Sequence, residues 1–192
     1  MFGVWLACRA RGCVKAQGRI SMMLAKDILV SFLEYNYQAD AHLLQHIQRL
    51  TPEQLQAAAK ISHGTAFDLV RHILDSEWSW RLFASGGAGQ QYLWEVEDIS
   101  DLVALQRFWS AERQRMLDYV RSLSEADLEQ AVDYGTAQGG EPQYANVWQI
   151  LLHVVNHSTH HRTELSRYLN DCGHPIDEQD LDCGNFVARK NM

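Results

Sequence analysis

Proline and glycine are sparse, at three and twelve among 192 residues, which argues against a turn-rich β architecture and leaves room for long helices. No apolar run approaches the ~18 residues of a membrane span, so a soluble protein without a membrane partner is expected. Basic residues are also in short supply, 17 against 24 acids. Four of them, Arg9, Arg11, Lys15 and Arg19, fall within residues 1–22, which contain no acid. Set against the total of −7, those four leave −11 on the rest of the chain. A body that acidic lacks the basic face that draws phosphates, which speaks against nucleic acid as a partner. The four cysteines, Cys8, Cys13, Cys172 and Cys183, form no CxxC pair. Reduced thiols in a cytoplasmic protein are the expectation, with pairing of Cys172 and Cys183, or their capture of a metal, as the alternative.

Familiar catalytic signatures are missing as well. HExxH is absent, which removes the common zinc-protease helix, and no GxSxG or GxxxxGK[ST] is present. No Glu-x-x-His pair occurs, so the di-metal carboxylate site of ferritin-like bundles has no ligands to build on. The run Gly86-Gly87-Ala88-Gly89 follows a helical pattern rather than a strand, which is the wrong setting for a phosphate cradle.

What is present is helical periodicity. Hydrophobic residues make up 46% of the chain and charged residues 21%, the balance of a folded domain. Residues 1–22 differ in character and are expected to be an N-terminal extension, disordered or upstream of a natural start at Met22 or Met23. Residues 23–192 are expected to form one domain. Apolar residues recur at helical spacing from Leu24 to Leu50, then from about Thr65 to Ala84, then after Ser100 to Leu123. A fourth helix is predicted from Asn146, as cap, to about Asn170. Thr51-Pro52 and Ser124-Glu125 each open a short capped turn. Residues 129–144 are polar and hold Gly135, Gly139, Gly140 and Pro142, the composition of a loop or small hairpin. The fold class is therefore all-α, a four-helix bundle with a short hairpin or loop before its last long helix. Of the aromatic cluster Trp78, Trp80, Phe83, Tyr92 and Trp94, packing is the expected role, with a pocket wall as the alternative.

The nine histidines are unevenly placed, and four of them, His153, His157, His160 and His161, lie within nine residues. At ~100° per residue His161 falls ~40° from His157, and both share the stripe of Ile150, Val154, Leu165 and Tyr168. His153 and His160 fall toward the flank. On the second helix His72 lies at the margin of the apolar face. Three imidazoles from two helices could thus meet in the interior, where burial without partners is costly. A divalent ion would satisfy them with nitrogens at ~2.0–2.1 Å and water in an open position. Bonds to backbone, water, or acids such as Asp75 and Glu164 would do so too. His42, His46, His63 and His174 show no pattern and are expected to be surface or packing residues.

The stretch from Leu151 to Arg162, LLHVVNHSTHHR, resembles the signature of the DinB/YfiT-like superfamily of metal-binding four-helix bundles. Leu69-Val70-Arg71-His72-Ile73-Leu74 with Glu77-Trp78 matches its second helix. The Leu123–Leu128 turn, Gly173-His174-Pro175 and Asp180-Leu181-Asp182 extend the resemblance over about residues 23–187. In that family one histidine from helix two and two from helix four bind a divalent metal, which implies His72, His157 and His161 here. His160 and Arg162 belong to the motif without being usual ligands, so a role behind the ligands or a structural one is implied. The family's usual His-His-Arg-Gly-Gln is broken by Thr163 and Glu164. Glu164 is expected at the surface or behind the ligands; a fourth ligand or a salt-bridge partner are the alternatives.

Some members of the superfamily are S-transferases or isomerases that use low-molecular-weight thiols such as mycothiol or bacillithiol. The resemblance therefore implies a metal-dependent enzyme of the thiol S-transferase type acting on a small electrophile. A non-catalytic metal-binding stress protein or dimeric scaffold is the alternative. It also implies a homodimer. Zinc or nickel is the expected ion, with iron or manganese as alternatives, and three histidines do not by themselves choose among them.

Overall fold

A computed structural model describes residues 13–87, 91–137 and 139–190. Four long helices dominate: α1 (Cys13–Ile47), α3 (Ala66–Ala84), α5 (Leu102–Ser122) and α8 (Val147–Asp171). Their ends follow local chemistry. Thr65 and Asp101 cap α3 and α5 by accepting the amide protons of Asp68 and Ala104, which satisfies donors the first helical turn leaves open. Between the long helices lie two capped turns, α2 (Pro52–Gln56) and α6 (Glu125–Leu128), each closed by a reciprocal capping box. Shorter helical pieces among the described residues are α4 (Leu93–Val96), α7 (Tyr134–Ala137) and α9 (Cys183–Lys190), with a 3-10 turn at Glu178–Asp180. The polar segment before α8 is a small hairpin, with β1 (Ala131–Asp133) antiparallel to β2 (Tyr144–Asn146) and Val132 opposite Ala145. The expected four-helix bundle with a hairpin before its last helix is the observed fold. Residues 1–12 of the expected N-terminal extension, with Cys8, lie outside the described residues, and from Cys13 onward the backbone is already helical. Cys172 and Cys183 are half-buried free thiols.

The core splits into two apolar clusters. One gathers Leu43 and Ile47 of α1, Leu69 and Ile73 of α3, Leu105 and Trp109 of α5, and Leu165 and Leu169 of α8. The other gathers Leu29 and Leu33, Ala84, Met116 and Val120, and Val147 to Val154 from the same four helices. Chain order through these clusters shows that α1 and α8 run in one direction and α3 and α5 in the other. Two parallel helices cannot be joined by a tight turn, and residues 91–101 lie along the bundle on the return. Leu93 and Ile99 bury themselves in the first cluster on the way. Asp75, buried on α3, ties that crossover down by accepting the Leu93 amide proton at 2.6 Å.

Between the clusters each long helix contributes a buried polar side chain: Asn36 and Asp40, Glu77, Glu112, and Ser158 with Arg162. Arg162 donates to Asp40 at 2.7 Å and to Asn36 at 2.6 Å. Glu77 accepts from Asn36 (2.9 Å), the Trp109 indole (2.7 Å) and Ser158 (3.2 Å), so one carboxylate touches the other three long helices. Glu112 accepts two bonds from Arg81. Burial pushes the Asp40 and Glu77 carboxyls up, and the Arg162 charge pulls Asp40 back toward ionisation. Of the aromatic cluster, Phe83 is buried, Trp78 and Trp94 pack on the first apolar cluster and Trp80 on the second. Tyr92 is exposed and stacks on Trp94 at 4.6 Å.

Candidate metal centre

The histidines sit at the same level of the bundle as the buried polar layer. On α8 the helical repeat sets His157 and His161 one turn apart on the side facing α3. On α3 His72 faces them. Its Nε2 lies 3.1 Å from Nε2 of His157, and Nε2 of His161 lies 3.2 Å from that same atom. His161 is buried, while His72 and His157 are half-buried. His157 is thus the ring that both His72 and His161 approach, while the groups among the described residues whose ligand atoms all lie within 4.8 Å of one another are His63 with His72 and His161, and His160 with His161 and Glu164.

An imidazole nitrogen either donates one proton or accepts one. Nε2 of His157 therefore cannot satisfy two imidazole nitrogens at once, and Ser76 Oγ stands 3.5 Å from it as well. A cation between the rings would resolve this by taking lone pairs instead of protons. Ligands ~2.0–2.1 Å from one tetrahedral ion stand ~3.3 Å apart, close to the two separations seen. Electrostatics lean the same way. Burial, then the neighbouring His63 and His161, lowers His72 to about 4. Burial, then His161 and His72, lowers His157 to about 3. Both rings are neutral at pH 7, the state that coordinates metal.

Glu164 closes the outer side of His161. Its Oε2 lies 3.1 Å from His161 Nδ1 and accepts the Ser62 hydroxyl proton. Burial raises the Glu164 carboxyl, but the bonds from Ser62 and His161 outweigh this and hold it below its ordinary range. Ser62 Oγ is also 3.2 Å from His161 Nδ1. Serine and carboxylate thus share one ring nitrogen instead of taking opposite ones, so the three do not form a nucleophilic triad.

The other expected site residues fall differently. His160 has an exposed ring whose Nε2 stands 3.9 Å from Glu164. With His161 and Glu164 it forms a second set whose candidate ligand atoms lie within 4.8 Å of one another. Arg162 points its guanidinium to Asp40, Asn36 and Thr159, supporting the helix that carries the histidines. His153, expected on the flank and outside the site, is exposed and packs against Trp80, with ring centroids 4.7 Å apart.

Two participants escaped the sequence analysis, Ser62 and His63, both in the turn before α3. His63, expected at the surface or in packing, is exposed and stacks on His72 with centroids 3.7 Å apart and planes 19° from parallel. One ring nitrogen each from His63, His72 and His161 lies within 4.8 Å of the others. Burial, then the His161 imidazole, lowers its basicity. Helical periodicity cannot flag a loop residue. The one local signal is the pair His63-Gly64 directly before a threonine cap.

Comparison with known proteins agrees with the architecture. The model of the DinB family matches residues 22–183. Among solved structures, YfiT from Bacillus subtilis is similar with a TM-score of 0.60 at 19% identity, over 77% of this chain and 87% of that one. That protein is described as a probable metal-dependent hydrolase with an unusual four-helix bundle topology. A DinB-like protein of the same organism, YjoA, is similar with a TM-score of 0.56 at 16% identity, over 76% and 94% of the two chains. No curated protein matches this sequence.

Proposed function

This chain belongs to the DinB family, and on that footing we propose that His72, His157 and His161 hold a divalent metal at which a small molecule reacts. Transfer of a low-molecular-weight thiol to a small electrophile is the reaction class. The observation that supports this is the approach of the His72 and His161 Nε2 atoms to Nε2 of His157, at 3.1 and 3.2 Å. Zinc and nickel suit such a donor set first, and iron or manganese are admitted. When bound, the ion supplies a Lewis acid that keeps a thiol in its thiolate form at neutral pH.

The chain's own residues prepare this. Glu164 takes the Nδ1 proton of His161 in a hydrogen bond, so Nε2 of that ring presents its lone pair inward. Ser62 holds the carboxylate in place by donating to it. Burial keeps His72 and His157 unprotonated. Three protein ligands leave a coordination position for a substrate atom, whereas structural zinc sites usually close with four.

Hydrolysis is a second reading. It is favoured by the carboxylate of Glu164 at the margin of the site, which could accept a proton from an attacking water, and it is the activity ascribed to YfiT. Cobalt(II)-loaded protein distinguishes the readings. Thiol transfer predicts a sulfur-to-cobalt charge-transfer band when a small thiol is titrated in, and no turnover of ester or amide substrates without it. Hydrolysis predicts turnover with no thiol and no such band. A protein that loads metal yet shows neither response is the scaffold, in which the ion only staples the bundle.

A further inference from the structure

We propose that His63 is a fourth, displaceable nitrogen ligand of this metal centre, closing it at rest and yielding its place to the incoming substrate. The inference rests on the reading that His72, His157 and His161 hold the ion.

Three observations lead to it. The first is position. The His63 ring covers His72 face on and meets His161 edge on, with centroids 3.7 and 5.7 Å away. One of its nitrogens lies within 4.8 Å of a ligand atom on each of those two residues. Reaching the ~3.3 Å spacing of two ligands on one tetrahedral ion needs a closing of ~1.5 Å at most.

The second is backbone. His63 has φ +62°, in the left-handed region that a side chain ordinarily avoids, and Gly64 follows at φ +83°. Such a conformation persists where its surroundings hold it and gathers at ligand-binding sites. Here the turn is held by the Ala59 amide donating to Gly64 O at 2.8 Å and by the Thr65 cap of α3. The left-handed residue could have been a glycine or an asparagine. A histidine there places an imidazole on the mouth of the histidine cluster.

The third is freedom to turn. His72, His157 and His161 are fixed on long helices, whereas His63 is exposed and lies stacked on His72 with its plane 19° from parallel. Rotation about its side-chain bonds brings a nitrogen to the ion, and the reverse rotation returns it to the stack on His72. A ligand that must leave a stacking partner to bind, and regains it on release, is the one a substrate atom displaces. His63 is the only histidine of the four that a substrate can replace without moving a helix.

The test compares cobalt(II) binding by the parent, His63→Asn and His63→Ala, with asparagine chosen because it tolerates the left-handed backbone. Expected are a visible cobalt spectrum that changes in both variants, metal affinity lower by about tenfold or more, and restoration of the parent spectrum by free imidazole in the variants alone. Thiol binding to the cobalt form should tighten in both variants, because the competing ring is gone. Variants that bind cobalt with parental affinity and spectrum, and ignore imidazole, overturn the proposal while leaving the three-histidine site intact. A parent that binds no cobalt overturns the three-histidine reading itself.

Discussion

His161 Nδ1 and Glu164 Oε2 stand 3.1 Å apart on adjacent turns of α8. A ring nitrogen tied to a carboxylate keeps its proton there and leaves the opposite nitrogen basic and fixed in direction. Removing the charge should therefore weaken the metal without disturbing the fold. Glu164→Gln is expected to lower metal affinity ~10–100-fold, as read by competition with a chromophoric chelator, while its circular dichroism and melting as apo-protein stay parental. Unchanged affinity would leave Glu164 a surface partner of Ser62 and nothing more.

Alanine at His72, His157 or His161 removes one of only three helix-borne nitrogens. Elemental analysis of unchelated protein should give near one metal per chain in the parent and almost none in the triple variant. His157→Ala should have the largest single effect, since its Nε2 is the atom both neighbours approach. His153→Ala should keep full occupancy, because that ring is exposed and packs on Trp80. Equal occupancy in all of these proteins would assign the histidines to packing alone.

The four helices and their caps were legible because the signals are local: apolar spacing, Thr51, Thr65, Ser124 and the glycines that follow α3. The placement of His157 and His161 followed from the same spacing. Long-range relations were not legible. Nothing in the pattern told that α3 and α5 run parallel, since the crossover depends on Asp75 meeting the Leu93 amide. Arg162 was expected behind the ligands or in a structural role, and its partner Asp40 on α1 could not be read from spacing. Its partner did leave a trace: Asn36 and Asp40 stand one turn apart on the stripe that carries Leu33, Leu43 and Ile47, where apolar residues belong. Polar residues at core positions of every helix were the mark of the buried layer. His63 left no such trace, because its place depends on the turn before α3.

That layer carries its own prediction. Arg162 and Asp40 are 2% and 0% exposed, and removing either leaves an unpaired buried charge. Asp40→Ala or Arg162→Ala should cost about 3–5 kcal/mol in urea unfolding of the metal-free protein. The ion pair of Arg121 with Glu34, whose side chains are 49% and 29% exposed, is the contrast. Glu34→Ala should cost less than about 1 kcal/mol. A loss of similar size at both pairs would mean that burial does not set the energetics of these ions.

The histidines make the metal-free protein sensitive to acid. In the unfolded chain an imidazole titrates near 6.5, whereas the folded state holds His72 at about 4 and His157 at about 3. Between those limits the unfolded chain binds more protons than the folded one, so stability falls as pH falls. Above pH 6.5 these two groups contribute no dependence, and below about 3 their contribution is fully lost. Urea midpoints of chelator-treated protein should therefore drop between pH 6.5 and 4, and His72→Ala with His157→Ala should flatten that slope. Metal moves the same window to lower midpoints of pH, because protons must displace the ion before the rings can charge. If the double variant keeps the parental slope, the acid sensitivity between pH 6.5 and 4 does not come from these two rings; the depressed carboxyl of Glu164 acts only below that window.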